Sequence, residues 1–445
     1  MNATAAAVER NPLDSLIARR IGVANKTLTR AAIEDYQLRA IQQTAAFARN
    51  KSPFYSKALS ALPADWPRSL NQLARAPLTS PAEIAEHGHE FVCVPQSEIS
   101  RVVTIDSSGT SGMPKRIFFT AEDQELALEF FAHGVACMAS KGDRMLIALP
   151  GEREGSVGFQ IARGVERAGV VPIPLGLSVE PAATLDRMDS EEATLLIGLP
   201  VQVLALALQH SEAAQRVFRR LHTIVLCSDH VADSLAHTIR HTTGCEIFEH
   251  YGSTEMGLGG GVDCRAHAGY HLREADLHFE IVSPQTGEPL AEGLLGEVVF
   301  TTLGRSGMPL IRYRTGDLAR IIPGPCVCGS PLRRLDRVRN RVGALVIVGR
   351  EGCVTISELD EALFSIPGLH NFDATLVPGS PKELRLGVYA PESNGSIAEE
   401  VERALYQLPA IGSNCAGGEL RLTISFLNEP IPATGAKRKI EVRAQ

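Results

Sequence analysis

The sequence lacks two features that would each define a class of protein. No run of apolar residues reaches the length of a membrane-spanning helix, which needs about 20 such residues. Basic residues are not in excess, since 44 Lys and Arg stand against 51 Asp and Glu, giving a formal net charge of −7. A nucleic-acid backbone or an anionic membrane requires a basic surface. We therefore expect neither as the main partner.

Cysteines are few and odd in number, with nine spread over 445 residues. A disulfide framework is typical of an even number of cysteines in a short secreted chain. The N-terminal stretch carries Glu9, Asp14, Arg19 and Arg20 where a secretory signal would need an apolar run. These features predict a cytoplasmic protein with reduced thiols, some of which could bind a metal.

The alternation of strand-like and helical segments indicates the fold class. Between residues 100 and 320, β-rich runs such as RMLIALP and TLLIGLP alternate with helical segments, the pattern of β-α units around a largely parallel sheet. Residues 278–322 instead carry strand-like runs separated by turns, which predicts an appended antiparallel sheet. The predicted class is α/β, with a large N-terminal domain over 1–335 and a small α+β domain over 336–445.

A loop rich in glycine and hydroxyl groups, SSGTSGMPK, runs from Ser107 to Lys115. It joins two strand-like runs, and Thr120 and Asp123 after it are typical of a helix start. A Walker A loop leads directly from a strand into a helix, and Pro114 before Lys115 also departs from that pattern. The loop still suits a polyphosphate, because glycine N–H groups can converge on an anion and Lys115 adds positive charge. The alternative is a hairpin turn without a ligand.

Two later stretches place further polar residues near strands. EHYGSTEMG follows the strand-like run CEIF, so it lies at the carboxyl end of a strand, where open α/β sheets bind ligands. Glu255 in this stretch can hold a metal ion, and Thr254 a phosphate oxygen. MPLIRYRTGD carries Arg314 and Asp317 beside a strand, where an aspartate can accept both hydroxyls of a ribose. The alternatives are an ordinary turn for the first stretch and a surface ion pair for the second.

In this order and at these separations, the three stretches resemble the adenylate-forming superfamily, which includes acyl-CoA synthetases. The resemblance is to its phenylacetate–CoA ligase-like branch and rests on AxxKSPFY (48–55), LTSPAEI (78–84), PLIRYRTGD (309–317) and CVCG (326–329). It covers essentially the whole chain and is loosest over the last hundred residues. It implies a two-step ligase. ATP and a carboxylate form an acyl-adenylate with loss of pyrophosphate, and a thiol, usually coenzyme A, then displaces AMP.

The resemblance also implies a role for each matching residue. Lys115, Thr254, Glu255 and Lys437 would be catalytic, with Lys115 on the β- and γ-phosphates and Glu255 on Mg²⁺. Tyr251 would lie along the adenine and Asp317 would take the ribose hydroxyls. The full set of expected nucleotide contacts is Ser107, Ser108, Gly109, Thr110, Ser111, Gly112, Tyr251, Gly252, Ser253, Arg314, Asp317 and Arg341.

The C-terminal region departs from the superfamily pattern. In the superfamily this domain rotates about a hinge that pairs an arginine with an acidic residue; here Arg341 matches the arginine, but Gly343 replaces the acid. The adenylation lysine near the chain end aligns with Lys437, and Lys439 is the neighbouring alternative. The competing interpretation is that Lys437 is a solvated residue of a basic tail.

A second departure is the run Cys227-Ser228-Asp229, where the superfamily usually has a Gly-Ala or Gly-Glu turn beside the adenine and the acyl group. Backbone contacts can survive this change, but the acyl pocket need not be the usual one. Glu152 and Arg153 also bring charge to a segment expected to line that pocket. An aryl acid with a polar substituent or a second carboxylate is therefore a candidate substrate.

Four residues have the chemistry of a structural zinc site. Cys326 and Cys328 are one residue apart with a glycine after them, and Cys264 with His271 would complete a tetrahedral set. Similar cysteines are associated with zinc in some members of the branch, and His267 is the competing histidine. The alternative is four ordinary side chains with free thiols.

The leading hypothesis is therefore an aryl- or related acyl-CoA ligase that uses ATP, Mg²⁺ and coenzyme A and carries structural zinc. One rival keeps adenylation but delivers the acyl group to an amine or a carrier-protein thiol. The other is a non-catalytic, zinc-stabilised nucleotide-binding protein. A homodimer is expected from the resemblance alone.

Overall fold

A computed structural model describes residues 11, 13–105, 114–177, 180–350, 352–391, 397–432 and 437–443. Its helices are α1 (Asp14–Ile21), α2 (Arg30–Lys51), α3 (Pro53–Ala58), α4 (Pro81–His87), α5 (Ala121–Gly134), α6 (Val157–Arg167), α7 (Pro181–Ser190), α8 (Pro200–Ala207), α9 (Glu212–Arg220), α10 (Asp233–Thr243), α11 (Ile356–Leu363), α12 (Ile397–Tyr406) and α13 (Pro409–Ala416). Within the described residues, none of these helices combines the length and apolar character that a membrane crossing requires.

The strands are β1 (Arg101–Ile105), β2 (Lys115–Phe119), β3 (Arg144–Ala148), β4 (Val171–Pro174), β5 (Leu195–Gly198), β6 (Thr223–Leu226), β7 (Glu246–Tyr251), β8 (Gly261–Val262), β9 (Tyr270–Leu272), β10 (Leu277–Val282), β11 (Gly296–Thr302), β12 (Tyr313–Ala319), β13 (Ile321–Ile322), β14 (Arg334–Leu335), β15 (Asn340–Arg341), β16 (Val346–Ile347), β17 (Cys353–Val354), β18 (Asn371–Val377), β19 (Lys382–Tyr389), β20 (Leu420–Phe426) and β21 (Glu441–Val442).

The elements form two compact units, neither of which is continuous in sequence. The first comprises Met1–Lys141, Arg153–Val170 and Phe248–Arg337, and the second comprises Gly142–Glu152, Val171–Ile247 and Val338–Gln445. The division expected from the sequence, 1–335 and 336–445, stays a prediction.

The second unit contains the parallel sheet that the alternating pattern predicts. Strands β4, β3, β5 and β6 pair in parallel in that order, and β5 and β6 are buried along their whole length, as expected for a sheet covered on both faces. The C-terminal part adds a mixed sheet in the order β20-β19-β18-β21. Residues from both sheets, such as Leu146 and Phe372, belong to one hydrophobic core.

The first unit is built from antiparallel strands. Strands β10, β11 and β12 form the predicted antiparallel sheet, and β7, β8, β9, β14 and β13 form a second antiparallel run. The predicted α/β class is therefore confirmed. Asp317 lies within β12 rather than beside a strand, because the strand begins earlier than expected, at Tyr313.

Asp123 joins the start of α5 to a distant loop of the first unit. As predicted, Thr120 and Asp123 form a capping box. The carboxylate also accepts hydrogen bonds from the backbone N–H groups of Ser306 and Gly307, each at 2.9 Å. A Cβ added to Gly307 would lie 2.6 Å from the Asp123 carboxylate, so the close approach requires glycine. One buried side chain thus fixes two segments that are far apart in sequence.

We predict that Asp123→Ala destabilises the protein by about 3 kcal/mol, because it removes a helix cap and leaves two buried N–H groups without acceptors. The measurement is urea unfolding followed by circular dichroism. The control is Glu122→Ala in the same helical turn, whose side chain is exposed and whose loss should change stability by about 0.5 kcal/mol or less. Equal effects of the two substitutions would contradict this account.

Candidate active site and metal centre

The predicted phosphate loop connects the two strands of a β-hairpin. Strands β1 and β2 pair antiparallel, with Ile105 opposite Lys115, so the intervening loop connects two strands and not a strand to a helix. This agrees with the rejection of a Walker A loop. The loop residues Ser107, Ser108, Gly109, Thr110, Ser111 and Gly112 lie outside the described residues, and their phosphate contacts stay a prediction.

Lys115 and Glu255 form a buried ion pair, although 140 positions separate them in sequence. Lys115 Nζ lies 2.5 Å from Glu255 Oε1, and the Tyr313 hydroxyl donates to the same oxygen at 2.8 Å. The pair is largely shielded, since the two charged side chains are 15% and 9% exposed. A buried charge requires such compensation.

Two opposing effects set the protonation of Glu255. Burial, the largest single effect, raises its pKa, but the Lys115 ammonium and the hydrogen bonds from Lys115 and Tyr313 together outweigh burial and leave the pKa below the usual value. Glu255 is therefore a carboxylate at neutral pH. An ionised carboxylate beside an ammonium can exchange that partner for a divalent cation or direct the ammonium toward an anion.

The turn after β7 presents Glu255 and Thr254 through a tight backbone path. Gly252 is required at its start, because an added Cβ would lie 2.2 Å from the Leu258 carbonyl oxygen. Ser253 accepts the Leu258 N–H through its own carbonyl at 2.8 Å, which closes the turn. Thr254 is left half-buried, next to Glu255.

Asp317 belongs to a second buried polar group in the same unit. The Tyr251 hydroxyl donates to Asp317 Oδ2 at 3.0 Å, and the Tyr251 ring stacks on Tyr270 at 5.8 Å between centroids. Tyr270 in turn donates to Glu249, which pairs with Arg337 at 2.7 Å. Tyr251 and Asp317, predicted to contact adenine and ribose, are thus brought together.

Other predicted residues do not join these groups. The Arg314 guanidinium lies 2.5 Å from Glu297, a partner that the stretch alone did not suggest. Arg341 lies on β15 and Lys437 near the chain end, both in the second unit. Their predicted roles stay predictions.

Three thiols and one imidazole converge within the first unit. Cys264 Sγ lies 3.9 Å from Cys326 Sγ, and Cys328 Sγ lies 3.4 Å from His271 Nε2. All four ligand atoms lie within 4.8 Å of one another. In a tetrahedral zinc site, a Zn–S distance of about 2.3 Å separates the sulfurs by about 3.8 Å. The spacing and the Cys₃His donor set therefore fit zinc.

The two candidate zinc-binding histidines have different surroundings. His267 Nδ1 lies 2.7 Å from Asp263 and its ring packs against Phe248, whereas His271 is fully buried beside the thiols. The Cys264 thiol, and then His271, lower the pKa of Cys328 to about 3, despite the opposing effect of burial. The structure thus groups His271, and not His267, with the cysteines.

Two residues of the Glu255 site were not singled out from the sequence. Tyr313 lies inside the stretch PLIRYRTGD, but its neighbours Arg314 and Asp317 drew the interpretation. Arg305 donates to the Glu255 carbonyl oxygen at 2.6 Å and stacks over Phe119. The only signal for Arg305 was its place in a Gly-Arg-Ser-Gly turn, which carries no specific chemistry.

The Lys115–Glu255 pair includes a residue that follows β7 in an α/β fold, and open α/β sheets bind ligands beyond the carboxyl ends of their strands. Residues 23–305 match the family model described as AMP-binding enzyme. The chain belongs to this family, and the resemblance to adenylate-forming enzymes is confirmed.

Individual relatives show which members of the family this chain resembles. The chain is 27% identical over 357 residues to the phenylacetate–coenzyme A ligase of Thermus thermophilus, covering 77% of each chain. It is 28% identical over 347 residues to that of Pseudomonas putida, covering 76% of this chain and 77% of the relative. The fold matches the crystal structure of 2-hydroxyisobutyryl-CoA ligase in the postadenylation state with 2-HIB-AMP, at a TM-score of 0.80, 20% identity and coverage of 100% and 94%.

We predict that Glu255→Gln destabilises the protein by about 3 kcal/mol at pH 7, because Lys115 is left buried without its counter-charge. Since the folded-state pKa of Glu255 is lowered, its contribution is complete above the ordinary glutamate pKa and is lost as pH falls through the folded value. The difference between wild type and variant, measured by urea unfolding, should therefore shrink from pH 7 to pH 3.5. A difference that does not change with pH would exclude an ionised pair.

Proposed function

We propose that the protein is an ATP-dependent ligase that activates an aryl or related carboxylic acid as an acyl-adenylate and transfers the acyl group to coenzyme A. The buried Lys115–Glu255 pair beside Thr254 carries the proposal. Membership of the AMP-binding enzyme family and similarity to phenylacetate–coenzyme A ligases support it. The products would be AMP, pyrophosphate and an acyl-CoA.

The proposed chemistry must bring a carboxylate to the α-phosphate of ATP, so two anions have to meet. Lys115 would contribute positive charge toward the phosphates, and Thr254 a hydroxyl donor. Asp317, held by Tyr251, offers two acceptor oxygens for the ribose hydroxyls. Glu255 is the residue that would hold Mg²⁺, which when bound offsets the charge of the phosphates. Lys437 would act on the reacting groups during adenylation.

The first test is ATP–pyrophosphate exchange without a thiol. The acids in the panel are phenylacetate, benzoate, hydroxybenzoates, 2-hydroxyisobutyrate, dicarboxylates and fatty acids. We expect exchange that depends on one class of acid, and a loss of about 100-fold or more in Lys115→Ala and Glu255→Gln, because each removes a charge that stabilises the transition state. Glu122→Ala is the control and should retain wild-type exchange.

Two outcomes would overturn parts of the proposal. ATP binding without exchange for any acid would favour the non-catalytic nucleotide-binding rival. Exchange without CoA-dependent formation of AMP would favour transfer to an amine or a carrier-protein thiol.

We further propose that Cys264, His271, Cys326 and Cys328 hold a structural zinc ion. The donor set uses four protein ligands and leaves no open position, which is typical of a structural site. None of the nine cysteines, all of which lie within the described residues, forms a disulfide, which supports a cytoplasmic location. A homodimer is proposed from the resemblance alone, and light scattering would test it.

We expect purified protein to contain about one zinc ion per chain, and His271→Gln or Cys326→Ser to lose it and unfold at a lower temperature, because the remaining thiolates lose their shared cation. The measurements are elemental analysis and calorimetry. His267→Gln is the matched control and should retain the ion. Loss of zinc in His267→Gln but not in His271→Gln would reverse the assignment.

A further inference from the structure

Arg438 is anchored in a manner unlike its neighbours in the basic run KRK. Lys437 and Lys439 on either side are exposed, whereas the Arg438 side chain is only 15% exposed. An arginine in a solvated tail has no reason to be buried. Its contacts, all within the second compact unit, therefore need an explanation.

The guanidinium is held on three sides. Its Nη2 and Nε donate to Asp360 Oδ1 at 2.9 and 3.2 Å, and its Nη1 donates to Asn371 Oδ1 at 2.6 Å. The guanidinium carbon lies 4.5 Å from the ring centroid of Phe372 and 5.2 Å from that of Phe364. Contact of the guanidinium with two aromatic rings, together with hydrogen bonds at its edges, is an arrangement that lysine cannot reproduce.

The backbone of Arg438 is fixed as well. Its N–H donates to Asp229 Oδ2 at 3.2 Å, and Asp229 follows β6 in a turn where Ser228 has a φ of 71°. The charge of Lys437 acts on the same carboxylate: burial, as the main cause, raises the pKa of Asp229, and Arg438 and Lys437 are among the groups that oppose the rise.

These contacts restrict Arg438, which is the residue directly after Lys437 in the chain. The Asp360 side chain is 2% exposed, so removing Arg438 would leave its carboxylate buried without its counter-charge. With side chain and backbone both held, the Cα of Arg438 has little freedom, and the position of Lys437 is determined to within one peptide unit.

We propose that Arg438 is a positioning residue that acts through Lys437, holding the adenylation lysine in place by its contacts with Asp229, Asp360 and Asn371. The inference rests on the proposed function, because Lys437 has this role only in an adenylate-forming enzyme. Arg438 itself need not touch ATP or the acid. Its removal should slow acyl-adenylate formation and leave the KM for ATP nearly unchanged.

The experiment measures ATP–pyrophosphate exchange with the panel acid that supports the fastest exchange. We expect Arg438→Ala to lower kcat by about 100-fold, the cost of a displaced catalytic group, and Arg438→Lys to recover only part of it. Asp229→Asn keeps the shape of the side chain and should lower kcat for ATP–pyrophosphate exchange by less than Arg438→Ala does. Arg385→Ala, which removes an exposed pair with Glu383 in the same unit, is the control and should match wild type.

A double-mutant cycle distinguishes positioning from general damage to the fold. If Arg438 acts through Lys437, then Arg438→Ala should cause no further loss in a Lys437→Ala background. Formation of the thioester from synthetic acyl-adenylate and coenzyme A should also change little in Arg438→Ala. Additive losses, or an equal loss in both half-reactions, would overturn the positioning role.

The same variants separate this inference from the proposed function. If Lys437→Ala retains exchange, the assignment of the lysine is wrong and the positioning role falls with it. If Lys437→Ala abolishes exchange but Arg438→Ala does not slow it, only the positioning role is wrong. Hydrogen–deuterium exchange by mass spectrometry provides a readout without substrate: the amide of Arg438 should exchange faster in Asp229→Ala, which removes its acceptor, than in wild type. An equal rate would contradict the anchor.

Discussion

The ion pair between Lys115 and Glu255 is the constraint on which the first unit depends. Two charges in a poorly solvated site are tolerated only as partners, so β2 and the turn after β7 have to meet. Two further contacts fix the turn after β7. Arg305 donates to the Glu255 backbone carbonyl, and the close approach at Gly252 leaves no room for a side chain. The opposite charges of Lys115 and Glu255 thus hold β2 and the turn after β7 together.

Much of the fold could be predicted because local patterns and tertiary structure agree. The apolar runs LLIG and TIVL are buried strands of a parallel sheet, and the capping box at Thr120 and Asp123 starts α5 as expected. The discontinuous composition of the compact units was not predictable. Local periodicity identifies an element, but contacts between residues distant in sequence determine which unit it joins.

The residues of the site also fall into two groups, those that the sequence predicts and those that only tertiary contacts reveal. The grouping of Cys264, His271, Cys326 and Cys328 could be predicted because thiolates and imidazoles share one metal chemistry, whereas the roles of Glu255 and Asp317 rest on the resemblance and stay predictions. Arg314 was grouped with Asp317 by proximity in sequence, yet residues three apart on a strand point to opposite faces, and Arg314 pairs with Glu297 instead. Tyr313 was overlooked since a tyrosine in a strand is more often part of a core.

One hydrogen bond in the second unit joins a run that departs from the superfamily pattern to the segment of the predicted adenylation lysine. Asp229 belongs to the run Cys227-Ser228-Asp229, and its carboxylate accepts the backbone N–H of Arg438, the residue after Lys437. Asp360 on α11 and Asn371 on β18 complete the set, and no local pattern connects these two elements with Asp229. Removing the Arg438 side chain would leave the buried Asp360 carboxylate without its counter-charge, whereas removing the Asp229 carboxylate would take an acceptor from the Arg438 N–H. Both changes act on one short segment, so their effects on stability are expected not to be additive.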